Sequence, residues 1–139
     1  KIYTLGTSTR KLEEFIRVLK FYNIQAVVDV RRFPTSKWEH FKKENISLSL
    51  KRERIKYFYL GRELGGYRKG GYEEYLKTLD FQKGLEMLEK IASNLNSAIL
   101  CAERLPWRCH RIFIAEKLQE KGWRVIHIIE EKRCWESLL

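Results

Sequence analysis

The chain has 139 residues, the length of one domain with a single core. Hydrophobic residues make up 44% and charged residues 33%, with only two prolines, a globular balance that excludes a disordered or low-complexity chain. Lys and Arg outnumber Asp and Glu 28 to 18, and the resulting net charge of +10 favours polyanions such as nucleic acid or nucleotides as partners without deciding the function.

Three cysteines cannot all pair within one chain, and the start, Ile2-Tyr3-Thr4-Leu5, lacks the basic and apolar regions of a secretory signal. The expectation is a reduced, cytoplasmic protein. No apolar run approaches the roughly 18 residues that span a bilayer, so no membrane segment is expected.

In chain order, Ile2 to Leu5 reads as a short strand and Gly6-Thr7-Ser8-Thr9 as a polar turn. Leu12, Phe15, Ile16 and Leu19 fall on one face, predicting an amphipathic helix over 11–22 capped by Ser8 or Thr9. Ile24 to Val30 is apolar and β-branched, as a strand covered on both faces should be, and completes a parallel βαβ unit. Residues 31–38 form a loop around Pro34, 42–54 a short helix and 57–60 a third strand. The glycine-rich, basic stretch 61–71 reads as an irregular loop. Two helices broken near Thr78-Leu79-Asp80 fill 72–94, a fourth strand covers 97–101, a helix runs from Cys109 to Lys121 and stops at Gly122, and a fifth strand covers 124–129. The remainder is a tail without a clear pattern. Strands alternating with helices predict the α/β class: one three-layer, Rossmann-like domain over 1–139, with a central, mostly parallel sheet of about five strands flanked by helices.

In such a sheet, loops that follow strands meet at the carboxyl edge, where ligands bind. Thr7, Ser8, Thr9 and Arg10 offer hydroxyls and N–H groups at a helix start, either as ordinary caps or as a seat for a phosphate or carboxylate. Asp29 is a carboxylate inside an apolar strand. It needs a partner such as Arg31 or Arg32, and serves as a general base or as a structural anchor. Ala98 to Ile114 gathers Cys101, Glu103, Arg104, Arg108, Cys109, His110 and Arg111, and its thiols admit three readings. Cys101 or Cys109 is a nucleophile, with Cys109 favoured by a place in the first turn of the following helix. Alternatively Cys101, Cys109 and His110 bind a metal, although Cys-x7-Cys-His lacks the spacing of structural zinc sites. In the third reading the cysteines pack as small hydrophobes. His127 within the last strand reads as a hydrogen-bonded core residue or a catalyst, and Tyr67, Tyr72, Trp38 and Trp107 as packing or base-stacking groups.

The chain resembles the DUF488 family, a bacterial and archaeal domain without an established reaction. The resemblance lies in Ile2 to Arg10, in Val28-Asp29-Val30-Arg31 with Pro34 and Ser36, and in Glu63-Leu64-Gly65-Gly66-Tyr67-Arg68. Above all it lies in Cys101-Ala102-Glu103, Pro106 and Cys109-His110-Arg111. Thr7 stands where the family often has histidine. The resemblance implies an α/β fold, a cytoplasmic protein and a shared site built from these motifs. Combined with the residues themselves, the expectation is an enzyme with an anion-binding pocket: Thr7, Ser8, Thr9, Arg10, Arg31, Arg68 and Arg111 hold the ligand, while Asp29, Cys101, Glu103, Cys109 and His110 supply the chemistry. The alternatives are a non-catalytic nucleic-acid-binding module and a metal-binding protein with Cys/His ligands. The sequence names no cofactor and no oligomeric state.

Overall fold

A computed structural model describes residues 1–34 and 36–137, so Thr35 of the loop after the second strand, and Leu138 and Leu139 of the tail, lie outside the described residues. Five strands run parallel: β1 (Ile2–Gly6), β2 (Ala26–Asp29), β3 (Lys56–Tyr59), β4 (Ser97–Cys101) and β5 (Val125–Glu130). A sixth, β6 (Arg133–Trp135), pairs antiparallel with β5 and gives the order β3-β2-β4-β1-β5-β6. β6 replaces the expected unpatterned tail. Its three residues are all exposed, so no alternation of apolar and polar positions marks it in the sequence.

The pleat sends alternate strand residues to two core clusters. Tyr3, Leu5, Val27, Ala98, Leu100 and Ile128 meet Phe15, Val18 and Leu19 of α1 (Leu12–Phe21) and Ile46 and Leu50 of α2 (Lys43–Arg52). Ile2, Val28, Ile99, Cys101 and Val125 meet Leu64 of α3 (Gly61–Leu64) and Phe81, Leu85 and Leu88 of α5 (Leu79–Asn94). They also meet Ile114, Ala115 and Leu118 of α6 (Arg111–Glu120). Phe15, Val18 and Leu19, three and four residues apart, put one face of α1 into the core, and Asn23 ends it at φ 56°. Thr78 caps α5 by accepting from the Phe81 N–H (3.2 Å), which separates it from the single turn α4 (Tyr72–Tyr75) at the expected break. Among the described residues no helix is long and apolar enough to cross a membrane.

Three local expectations are corrected. The stretch 61–71 is not wholly irregular: α3 occupies its start because Leu64 is apolar and can bury against α5, and only 65–71 is loop. The helix expected from Cys109 starts at Arg111, since Pro106 begins a separate 3₁₀ turn over Pro106–Arg108 that leaves Cys109 extended. Neither Ser8 nor Thr9 caps α1. Lys11 holds that position without a side-chain bond, because Ser8, at φ 49°, turns the chain one step earlier.

One consequence of the topology positions the site. β4 lies between β2 and β1, whose following helices α2 and α1 pack in one cluster, whereas the helix after β4, α6, packs in the other. Connections that part to opposite sides leave a crevice at the carboxyl end of the strand between them.

Candidate functional site

That crevice holds a pocket of about 350 Å³ lined by Gly66, Tyr67, Ala102, Glu103, Arg108, Cys109 and His110. Its floor is the turn after β4. Cys101 ends the strand, is 1% exposed and packs in the core cluster, while Cys109 returns beside it after the Pro106–Arg108 turn. The two sulfurs lie 3.1 Å apart, within hydrogen-bond distance of each other.

Three groups act on Cys109. Cys101 hydrogen-bonds to it, His110 Nδ1 lies 3.6 Å from its sulfur, and the N–H of Arg111 at the start of α6 points to it. His110 is oriented in turn by Val30: a carbonyl can only accept, so Nε2–H donates to Val30 O (3.1 Å) and Nδ1 is left facing the thiol. The hydrogen bond from Cys101 contributes most and, with the His110 bond and charge, outweighs burial and lowers the Cys109 thiol to about pKa 4. Cys101 moves the other way. Burial, helped by its bond to Cys109, raises it well above the ordinary thiol range despite the Arg111 charge, so the pair carries its negative charge on Cys109.

Arg111 supplies the compensating cation. It is wholly buried, with Nη1 donating to Cys101 Sγ (3.0 Å) and Nη2 to Arg104 O (2.8 Å), while Nε has no partner. Among the described residues no carboxylate lies within ion-pair distance of it. His127, the next titratable group, stays neutral: burial first and the Arg111 charge second lower it to about pKa 3, and its Nδ1 meets Thr4 Oγ1 at 2.6 Å. It sits in the core on β5, away from the pocket lining.

The opposite wall comes from the loop after α3. Gly66 packs on the imidazole, where a Cβ would stand 3.0 Å from His110 Nδ1, so only glycine leaves the ring in place. Tyr67 is held at φ 59°, a left-handed conformation that costs a bulky residue about 1 kcal/mol or more. Arg32 Nη1 donates to its carbonyl (2.6 Å), and its ring stands 87% exposed beside Phe33, with centroids 6.1 Å apart. Tyr72 closes the back of His110 at 5.2 Å between rings.

Of the residues singled out from sequence, Glu103, Cys109 and His110 line the pocket and Cys101 and Arg111 lie directly behind it. The other expected ligand-binding groups are engaged elsewhere. The Thr7 and Ser8 N–H groups donate to Cys101 O and Ala102 O (both 2.8 Å), and Thr9 is exposed outside the lining. Arg10, 1% exposed, spends its guanidinium on Gly6 O, Ile129 O and Glu14, tying β1 to β5. Arg31 forks onto Asp29, with Nε to Oδ1 and Nη2 to Oδ2 both at 2.9 Å, and reaches Phe41 O. Burial opposes its charge, but the Asp29 bonds hold its pKa above the ordinary value. Tyr57 OH donates to the remaining face of Asp29, so that buried carboxylate is fully partnered. Arg68 donates to Gly65 O and Arg62 O and lies 3.9 Å over the Tyr75 ring, shaping the loop that carries Tyr67.

Arg108, Gly66, Ala102 and the Val30 carbonyl complete the site without having been assigned to it. Arg108 was visible as one of four arginines in 104–124, but nothing in the spacing says which faces the pocket. A backbone carbonyl leaves no sequence signal. Among the described residues no group of three or more His, Cys, Asp or Glu converges as a metal site requires, so the Cys/His metal centre has no ligand set there.

A family model described as "Domain of unknown function DUF488" matches residues 11–118, most of the chain. The chain belongs to the DUF488 family. The matched span contains the Asp29, Gly66 and Cys101–Arg111 segments and begins after the Thr7–Arg10 turn. No curated protein and no solved structure matches this DUF488 chain.

Proposed function

We propose that this protein is a thiol-dependent enzyme in which Cys109 attacks an anionic substrate held in the β4 pocket. The observation that carries the reading is the placement of Cys109 Sγ: at the pocket surface, 3.1 Å from a buried thiol and 3.6 Å from a histidine whose other nitrogen is fixed by a carbonyl. Nucleophile, base and orienting group in sequence are the parts that covalent catalysis needs. Arg108 at the rim takes the anionic end of the substrate, and the exposed Tyr67 and Phe33 rings take a flat or apolar portion. Glu103 faces the same space and serves as proton donor or acceptor to the leaving group. In this reading the whole chain is one three-layer, Rossmann-like domain, and Asp29, Arg31 and Arg10 hold the strand ends in place.

The test compares an anionic with a neutral alkylating reagent of similar size. Relative to their ratio on the unfolded chain, iodoacetate should gain on iodoacetamide at Cys109 by about fivefold, the size of an ion pair worth about 1 kcal/mol. Arg108→Ala should remove that gain. Equal ratios in the folded and unfolded chains would refute the anion pocket.

A further inference from the structure

The buried thiol has no task in a one-cysteine mechanism. Cys101 is 1% exposed, cannot meet a substrate itself, and still lies 3.1 Å from Cys109, where a closing movement of about 1 Å reaches S–S bonding distance. Two neutral thiols packed as hydrophobes would also leave the Arg111 guanidinium buried without a counter-charge, a costly arrangement. A negative charge on Cys109, 3.1 Å from the sulfur that Arg111 holds, removes that cost.

We propose that Cys101 is the resolving thiol of Cys109, and that the site carries out thiol–disulfide exchange on a disulfide substrate bearing an anionic group. The proposal rests on Cys109 as the attacking thiolate. Cys109 attacks one substrate sulfur, the substrate S–S bond breaks, and the departing thiolate takes the proton that His110 Nδ1 holds toward Cys109 and leaves as the first thiol. The now neutral Nδ1 accepts the Cys101 proton as Cys101 attacks Cys109 Sγ. The bond between Cys109 and the substrate sulfur breaks, the second substrate thiolate takes that proton from His110 and leaves as a thiol, and a Cys101–Cys109 bond remains. Two electrons have passed from the pair to the substrate.

A low-molecular-weight thiol restores the pair by the reverse exchange. Arg111 favours that return, because closing the bond removes the charge that compensates it, and a stabilised reduced form makes a disulfide easy to reduce. The pocket volume fits a substrate with bulk on its sulfur better than a peroxide, since about 350 Å³ lies in the range of small-molecule sites.

The probe is excess oxidised glutathione, an anionic disulfide, without added thiol, acting on the 139-residue chain in which exposed Cys134 is replaced (C134S). Acid-quenched intact mass and non-reducing peptide maps give the readout. The expected result is loss of two hydrogens with a Cys101–Cys109 cross-link. C101S, or C101A where serine in the core perturbs the circular dichroism, should stop with one glutathione moiety on Cys109, and C109S should not react. Accumulation of the Cys109 mixed disulfide in the chain that retains both thiols would overturn the resolving role while leaving Cys109 as nucleophile. Reaction of Cys101 in C109S at the rate of the intact pair would overturn both readings. No reaction at Cys109 would overturn disulfide exchange, with alkylation then deciding the nucleophile by itself.

Discussion

Cys109 owes its acidity to neighbours from three parts of the chain: Cys101 at the end of β4, His110 beside it, and Val30 of the second strand region acting through the imidazole. Asp29, one residue before Val30, is the contrasting case. Its carboxylate is as chemically capable as Glu103, yet Arg31 and Tyr57 occupy it entirely and it is fully buried. Breaking a buried ion pair from one side costs about 3–5 kcal/mol, so Asp29→Asn should lose about that much stability in urea unfolding. Its Cys109 labelling profile should be unchanged while folded, whereas an altered profile would place Asp29 in the chemistry. The sequence supplied the candidate thiols, the histidine and the buried acid. It could not say which of the two acids faces the pocket and which is held in the core, because the anchoring of Asp29 depends on partners 2 and 28 residues away.

At the scale of elements, the β4 turn and the loop after α3 make the two walls, and their meeting depends on a missing side chain. Gly66 lies against His110 Nδ1, and an added methyl at 3.0 Å would make the ring give way by a few tenths of an ångström at the nitrogen that faces Cys109. Gly66→Ala should therefore raise the pH midpoint of Cys109 labelling by about one unit, as expected when a nearby positive charge is withdrawn. An unchanged midpoint would mean that His110 does not set the thiol's acidity. The βαβ rhythm was legible because its apolar periodicities are long, and so was the break at Thr78. The start of α6 was not, since Cys109-His110-Arg111 looks like a first turn until the 3₁₀ turn at Pro106 is seen to hold Cys109 extended. The short β6 was missed for the opposite reason, having no buried face to leave a pattern.

For the whole molecule, the order β3-β2-β4-β1-β5-β6 is what turns scattered motifs into one site, by inserting β4 between the first two strands. Strand order is not written in local sequence, so sequence alone could not say which of the loops expected at one edge line the same pocket. Residues of the 101–111 and 66–67 segments line the pocket and Val30, just after β2, holds His110 from behind, while Arg10 and Arg31 spend their charges as internal ties. The net charge of +10 belongs to the whole chain, and the attraction of its exposed charges for anions is screened beyond a Debye length of about 8 Å at physiological salt.

The central claim, an activated thiolate at Cys109, is tested most directly by its alkylation rate against pH in the folded and unfolded chain. A thiol lowered to about pKa 4 is ionised across the neutral range, so its rate should be flat from about pH 5.5 to 8 and fall only toward pH 4. Because nucleophilicity falls with pKa, the folded protein should be slower than the unfolded chain at pH 8 but about tenfold faster at pH 5. A folded-state rate that climbs about tenfold per unit up to pH 8, as an ordinary thiol's does, would contradict the account.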